Sequence, residues 1–180
     1  MASFNENSYE VSPRSKKQIR ASAKHLRMAL GVSDNPYFKP IEVIELVLDH
    51  EMNFVSFSTG SREEMGNDEG QTAFDGSEII LREDVYVNAN KGQPRGRFTA
   101  AHELGHWALH SGLKPTMARS SGNSTPVYKC SEWQANRFAA EILMPFKFFT
   151  INDTVPTVMA RHGVSRPAAE RRLKEYKNLK

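Results

Sequence analysis

The run His102-Glu103-Leu104-Gly105-His106 constrains this chain more than any other feature. Histidines four apart lie on one face of an α-helix, about one turn from each other. For the two rings to act together the segment must be helical, and both imidazoles must reach one point. Glu103 is displaced around the axis by one residue, which puts its carboxylate beside that point rather than on it. Two imidazoles can hold one metal ion, and the neighbouring carboxylate can take a proton from water bound there. Gly105 costs ~1 kcal/mol in a helix relative to Ala, so something is expected to pack closely at that position. Phe98, His102, His106 and Leu109 share one face, which turns the histidines toward the core.

A metal site of this kind needs a third ligand. The candidates after the motif are His110, Cys130, Glu132, Glu141 and His162. His110 lies a further turn along the same helix, too far along the axis to join the same ion, and reads as a support for the ligands. A lone cysteine such as Cys130 is more often a small buried residue. Glu132 has the strongest case. Ser131 and Gln134 form an S-x-x-Q capping box, which places Glu132 in the first turn of a helix. Its face continues as Ala135, Asn136, Ala139, Ala140 and Leu143, small enough to let two helices pack tightly. Asn136, one turn on, is positioned to accept from the free ring N–H of a ligand histidine. Two imidazoles, one carboxylate and an open fourth position suit Zn2+.

Around these helices the pattern reads as alternating short elements. Residues 1–13 look like a flexible arm. Ile19, Ala23, Leu26 and Leu30 predict a helix over 14–30, and Pro40 opens a second over 40–50. Met52 to Phe57 reads as a strand and 58–70 as an exposed loop. Gln71–Phe74 and Glu78–Leu81 flank Asp75-Gly76, a hairpin signal, and Val85–Val87 reads as a further short strand. The motif helix is expected over 97–110. Residues 111–130 read as a long, lid-like loop, and a helix follows over 132–143 up to Pro145. Two short helices are expected around Gly163 over 155–178.

Composition bounds the rest. The chain has 180 residues, 39% hydrophobic and 25% charged, a globular profile. No apolar run is long enough to cross a membrane, and the N-terminus lacks a basic region followed by an apolar run. One cysteine excludes an internal disulfide framework, so a cytoplasmic setting is expected. The net charge of +3 is too mild to argue for nucleic acid, although the last twenty residues are rich in Lys and Arg.

The segments Arg97 to His110 and Glu132 to Pro145, with their spacing, resemble the ImmA/IrrE family of metallopeptidases. Met159 to Ser165, with Arg172-Leu173 after it, also resembles the family's C-terminal segment. The resemblance implies an α+β, zincin-like domain: a small antiparallel or mixed sheet packed on helices, with the motif helix central. That domain is expected over 14–150, and 151–180 as a helical tail resembling a partial helix-turn-helix. It further implies a gluzincin-like site with His102, His106 and Glu132 as ligands and Glu103 as general base. Family members include proteases that cleave helix-turn-helix repressors of the Xre type, in mobile elements, toxin–antitoxin-like pairs or stress responses. A co-encoded repressor or antitoxin is therefore the expected partner and protein substrate.

Amide hydrolysis at such a site needs a second oxyanion stabiliser besides the metal. Tyr128, Arg137 and His110 are candidates, and Tyr128, near Glu132, is preferred. Val85–Asn88, as an edge strand, is expected to hold an extended substrate. The competing reading is a regulatory module that binds a repressor or DNA around a structural or vestigial zinc site. The presence of Glu103 weighs against it, because a structural site needs ligands but no base.

Overall fold

The computed structural model describes residues 9–113 and 126–179. Along the chain run α1 (Lys16–Ala29), α2 (Pro40–Glu42, continued by a π-helical stretch Val43–Glu51), β1 (Ser56–Gly60), α3 (Arg62–Met65), β2 (Gly70–Thr72) and β3 (Glu78–Arg82). There follow α4 (Glu83–Asn90), α5 (Pro94–His110), α6 (Ser131–Leu143), α7 (Val155–His162) and α8 (Arg166–Lys177). The architecture is α+β, with one small mixed sheet packed among helices.

The sheet order is β1-β3-β2, with β1 parallel and β2 antiparallel to the central β3. The hairpin between β2 and β3 turns at Asp75-Gly76, where Gly76 adopts φ +78. Gln71 faces Ile80 and Thr72 faces Ile79 across the ladder. β3 places Ile79 and Leu81 wholly in the core. β2 is the opposite edge of the sheet from β1 and lies against α5, with the Thr72 hydroxyl 3.2 Å from the Glu103 carbonyl.

The core joins Ile19 and Ala23 of α1, Ile41, Ile44 and Leu48 of α2 and its continuation, Leu104 of α5, and Phe138 and Ile142 of α6. α5 and α6 cross closely. A Cβ on Gly105 would lie 3.1 Å from the Ala135 carbonyl oxygen and 3.2 Å from its Cα, so the glycine sets how near the two backbones come. The tail is part of this core. Ala169 and Leu173 are buried, and the left-handed Gly163 (φ +60) lets α7 turn into α8. Glu141 of α6, buried, meets Arg20 of α1, Arg137 of its own helix and Arg172 of α8. A buried carboxylate in such a place is tolerated because it is ion-paired on several sides.

Several segments differ from their sequence pattern. Val85–Val87 is not a strand but the middle of α4. Glu83 and Asp84 occupy the first turn, where acidic side chains favour the helix dipole, and Val85 and Ala89 are buried four residues apart. The sheet edge expected at Val85–Asn88 is therefore absent, and β2 takes its place beside the motif helix. β1 starts at Ser56 rather than Met52, because the π-helical stretch runs to Glu51 and Asn53 adopts a left-handed φ of 52. Inside the expected 58–70 loop, Ser61 and Glu64 form a reciprocal cap that starts α3.

Ser131 is not a cap either. Cys130 holds that position, its Sγ accepting from the Trp133 N–H at 3.4 Å, while Ser131 is buried within the helix. The reason is the N-terminal segment. Residues 9–13, expected to be part of a loose arm, instead pair with 128–131. The Tyr9 N–H donates to Ser131 Oγ (3.3 Å), the Ser131 N–H to the Tyr9 carbonyl (3.2 Å), and the Val11 N–H to the Lys129 carbonyl (2.9 Å). Glu10 pairs with Lys129 at 3.0 Å. Tyr9 and Val11 are buried. Most of the lid-like loop, residues 114–125, and the first eight residues of the arm lie outside the described residues.

Candidate metal centre

α5 carries His102 and His106 one turn apart, and the first turn of α6 carries Glu132 opposite them. One ligand atom from each of the three lies within 4.8 Å of the others. His102 Nε2 and His106 Nε2 are 3.0 Å apart; Glu132 Oε2 is 3.2 Å from the first and Oε1 3.1 Å from the second. Two donors about 2.0–2.1 Å from one tetrahedral ion lie roughly 3.3–3.4 Å from each other, so the two imidazole nitrogens and the carboxylate are spaced much as a zinc ion would hold them.

Hydrogen bonds behind the rings fix which nitrogens point inward. The Gln134 amide N donates to the Ser12 carbonyl (2.9 Å) and the Tyr128 carbonyl (2.8 Å). Its Oε1 is thereby left to accept, and it lies 3.1 Å from His110 Nε2, which must carry the proton. Burial, with His106 close by, pushes the His110 pKa down to about 4, so this ring is neutral and its Nδ1 is an acceptor. His110 Nδ1 lies 3.3 Å from His106 Nδ1, which donates to it. His106 Nε2 is then a bare lone pair facing the cluster. His102 arrives at the same state by a shorter route, its Nδ1 donating to Asn136 Oδ1 at 3.2 Å. Two lone pairs and a carboxylate turned on one point repel each other unless a cation lies between them. The donor set therefore fits a metal ion. Burial draws the His102 pKa down, but Glu132, Glu103 and Asn136 together hold it above its ordinary value. Burial works on Glu132 in the opposite sense, and the two histidines outweigh it, keeping the carboxylate ionised well below the usual range.

Glu103 stands beside the cluster, buried, with its Oε2 accepting from the Thr72 hydroxyl at 2.7 Å. Gly70 passes so close that a Cβ there would be 2.7 Å from Glu103 Cγ. Tyr9, Gly70, Thr72, Glu103, His106 and Glu132 line one cavity of about 20 Å³, room for a single water between base and ligands.

The other sequence candidates lie elsewhere. Tyr128 sits on a 3-10 turn with its side chain half exposed, outside this cavity. Arg137 is bound to Glu141 and Glu175. Among the ligand candidates, Glu141 is in the arginine cluster. His162 is in α7, stacked on Phe149, with Nδ1 donating to the Pro36 carbonyl at 2.9 Å. Sequence reasoning missed Tyr9, Gly70 and Thr72. The alternation Tyr9-Glu10-Val11, two apolar residues around a polar one, was the single signal for the first, and three residues are too short a run to identify a strand.

The IrrE N-terminal-like domain family of M78 peptidases matches residues 59–174, which include the motif helix, α6 and most of the tail. No curated protein matches the chain. More than half of the sequence lies within that match, so the chain belongs to the IrrE N-terminal-like family of M78 peptidases.

Proposed function

We propose that the chain is a zinc-dependent endopeptidase that cuts a peptide bond in a protein partner, an Xre-type helix-turn-helix repressor or antitoxin. The observation that carries the catalytic part is the cavity: Glu103, a carboxylate outside the His-His-Glu ligand set, shares a water-sized space with His106 and Glu132 of that set. A structural zinc site has no use for that fourth group. The repressor rests on the family resemblance.

His102, His106 and Glu132 would hold the ion. When bound, zinc supplies Lewis acidity, lowering the pKa of a coordinated water toward ~7 and polarising a carbonyl. The chain's own residues do the remaining work. Glu103 takes one proton from the attacking water as its oxygen bonds to the scissile carbonyl carbon. It then passes that proton to the amide nitrogen as the C–N bond breaks, so one water is consumed and a carboxyl and an amine result. Thr72 holds one Glu103 oxygen and leaves the other outside that bond. Asn136 and the His110–Gln134 pair keep both ligand rings in the tautomer that binds metal. β2, at the sheet edge and along the cavity, is positioned to pair with an extended substrate strand, a mode in which backbone hydrogen bonds give affinity.

The test is to incubate the zinc-loaded chain and its Glu103→Gln variant with the repressor encoded beside it. Both should bind zinc equally, and the parent alone should yield two fragments. Equal cleavage by the variant would refute the enzymatic reading.

A further inference from the structure

The zinc-peptidase reading leaves one requirement unassigned, a donor for the oxygen that gains negative charge when water attacks. Oxyanion stabilisation is among the largest contributions to acyl-transfer catalysis, and it requires a hydrogen-bond donor already in place on the wall of the reacting cavity. Most side-chain donors on this wall are already engaged. The Thr72 hydroxyl is directed at Glu103. The Gln71 amide donates one of its two N–H groups to Asp68 at 3.1 Å, which holds its nitrogen at that carboxylate. His106 presents a bare nitrogen. Gly70 and Phe74 have no side-chain donor, and Glu103 and Glu132 are already assigned as base and ligand.

Tyr9 remains. Its ring is wedged edge-on between Phe74, at 5.0 Å between centroids, and His110, at 5.9 Å. Its backbone is bonded in both directions to Ser131, the residue immediately before Glu132. Among the described residues nothing takes its hydroxyl. A phenol ordinarily titrates at about 10 and burial raises that further, so Tyr9 stays a donor throughout the neutral range. Tyr9 also lies outside residues 59–174, so the family match does not account for its place at the site.

We propose that Tyr9 is the oxyanion-stabilising residue of this enzyme, its phenolic O–H donating to the scissile carbonyl oxygen as that oxygen becomes negative. The assignment rests on the peptidase reading and replaces Tyr128 in that role. It makes residues 9–13 a catalytic strap, a segment far from the motif helix in sequence that delivers one donor to it.

The experiment compares parent, Tyr9→Phe and Glu103→Gln, each zinc-loaded, on the same repressor. Phenylalanine keeps the ring between Phe74 and His110 and the strap's backbone bonds, and removes the hydroxyl alone. Loss of one oxyanion donor elsewhere lowers kcat roughly 10²–10³-fold, and that is the expected fall here, with KM within about twofold. Zinc affinity, read by competition with a chromophoric chelator, and the thermal midpoint should match the parent. Tyr9→Phe with kcat within about threefold of the parent, or faster, overturns the proposal; a faster variant would make Tyr9 a plug. A variant that loses zinc or melts early also overturns it, in favour of a packing role. If the parent itself is no better than Glu103→Gln, the peptidase reading has failed, an outcome distinct from either.

Discussion

Gly70→Ala should separate catalysis from metal binding. The new Cβ would sit 2.7 Å from Glu103 Cγ and 2.9 Å from both Cδ and Oε1. Carbon atoms in ordinary contact are ~3.5–4.0 Å apart, so Glu103 must retreat by about 1 Å. It is buried and tied to Thr72, and a retreat breaks either that bond or its aim at the cavity. A displacement of about 1 Å at a reacting group costs on the order of 10²-fold in rate. That is about 2.7 kcal/mol of transition-state stabilisation. The ligands stand on α5 and α6 and the clash is with the base alone, so zinc affinity should stay within about threefold of the parent. Stability should fall by about 1–2 kcal/mol, because displacing a buried side chain costs about 1–3 kcal/mol and the backbone entropy that alanine saves over glycine, about 0.5–1 kcal/mol, offsets only part of it. The assay is kcat on the cognate repressor together with chelator competition for zinc. A variant with the parent's kcat, or one that loses zinc in proportion to activity, would refute the reasoning.

Thr72→Val removes the hydroxyl that steadies Glu103 while keeping strand shape; kcat should fall about tenfold, the worth of one charge-assisted hydrogen bond, and Thr72→Ser should restore most of it. His162 is fully buried with an unpartnered Nε2, and burial, with Arg161 and Arg27 nearby, pushes its pKa down to about 4. The unfolded chain then takes up that proton first, so stability should be lost as pH falls from about 6.5 to about 4, by about 3 kcal/mol in all. Urea titrations across that range should show the decline, and His162→Phe should make it shallower, leaving the share of His110, whose pKa is also pushed down to about 4.

Much of the site was legible because it is local. His102, Glu103 and His106 lie within one turn and a half of helix, and Glu132 opens the next strong helical pattern. What the sequence hid is what a distant segment decides. Val85 and Val87 look like strand residues, yet the acidic pair before them and the burial of Ala89 draw the segment into α4. Ser131 carries the signature of a cap, but its hydroxyl is taken by the backbone of Tyr9, more than a hundred residues away, and Cys130 caps instead. Thr72 and Gly70 matter only through a strand lying beside a helix, and nothing in their own neighbourhood announces it. A small antiparallel or mixed sheet was expected, and it is mixed; the strand read at Met52–Phe57 is shifted to Ser56–Gly60, and the one read at Val85–Val87 is helix.

The orientation of one amide has a wider consequence. Gln134 is turned by two carbonyl groups, one from Ser12 and one from Tyr128, and its oxygen in turn sets the protons on His110 and His106. Detaching residues 9–14 removes one of those carbonyls and leaves the Tyr128 carbonyl alone to orient the amide. Were the amide to flip, the ring of His106 would present a proton where it should present an electron pair. The N-terminal segment thus backs the tautomer of a ligand it never touches, and a fragment cut to the family's boundaries would lack that support.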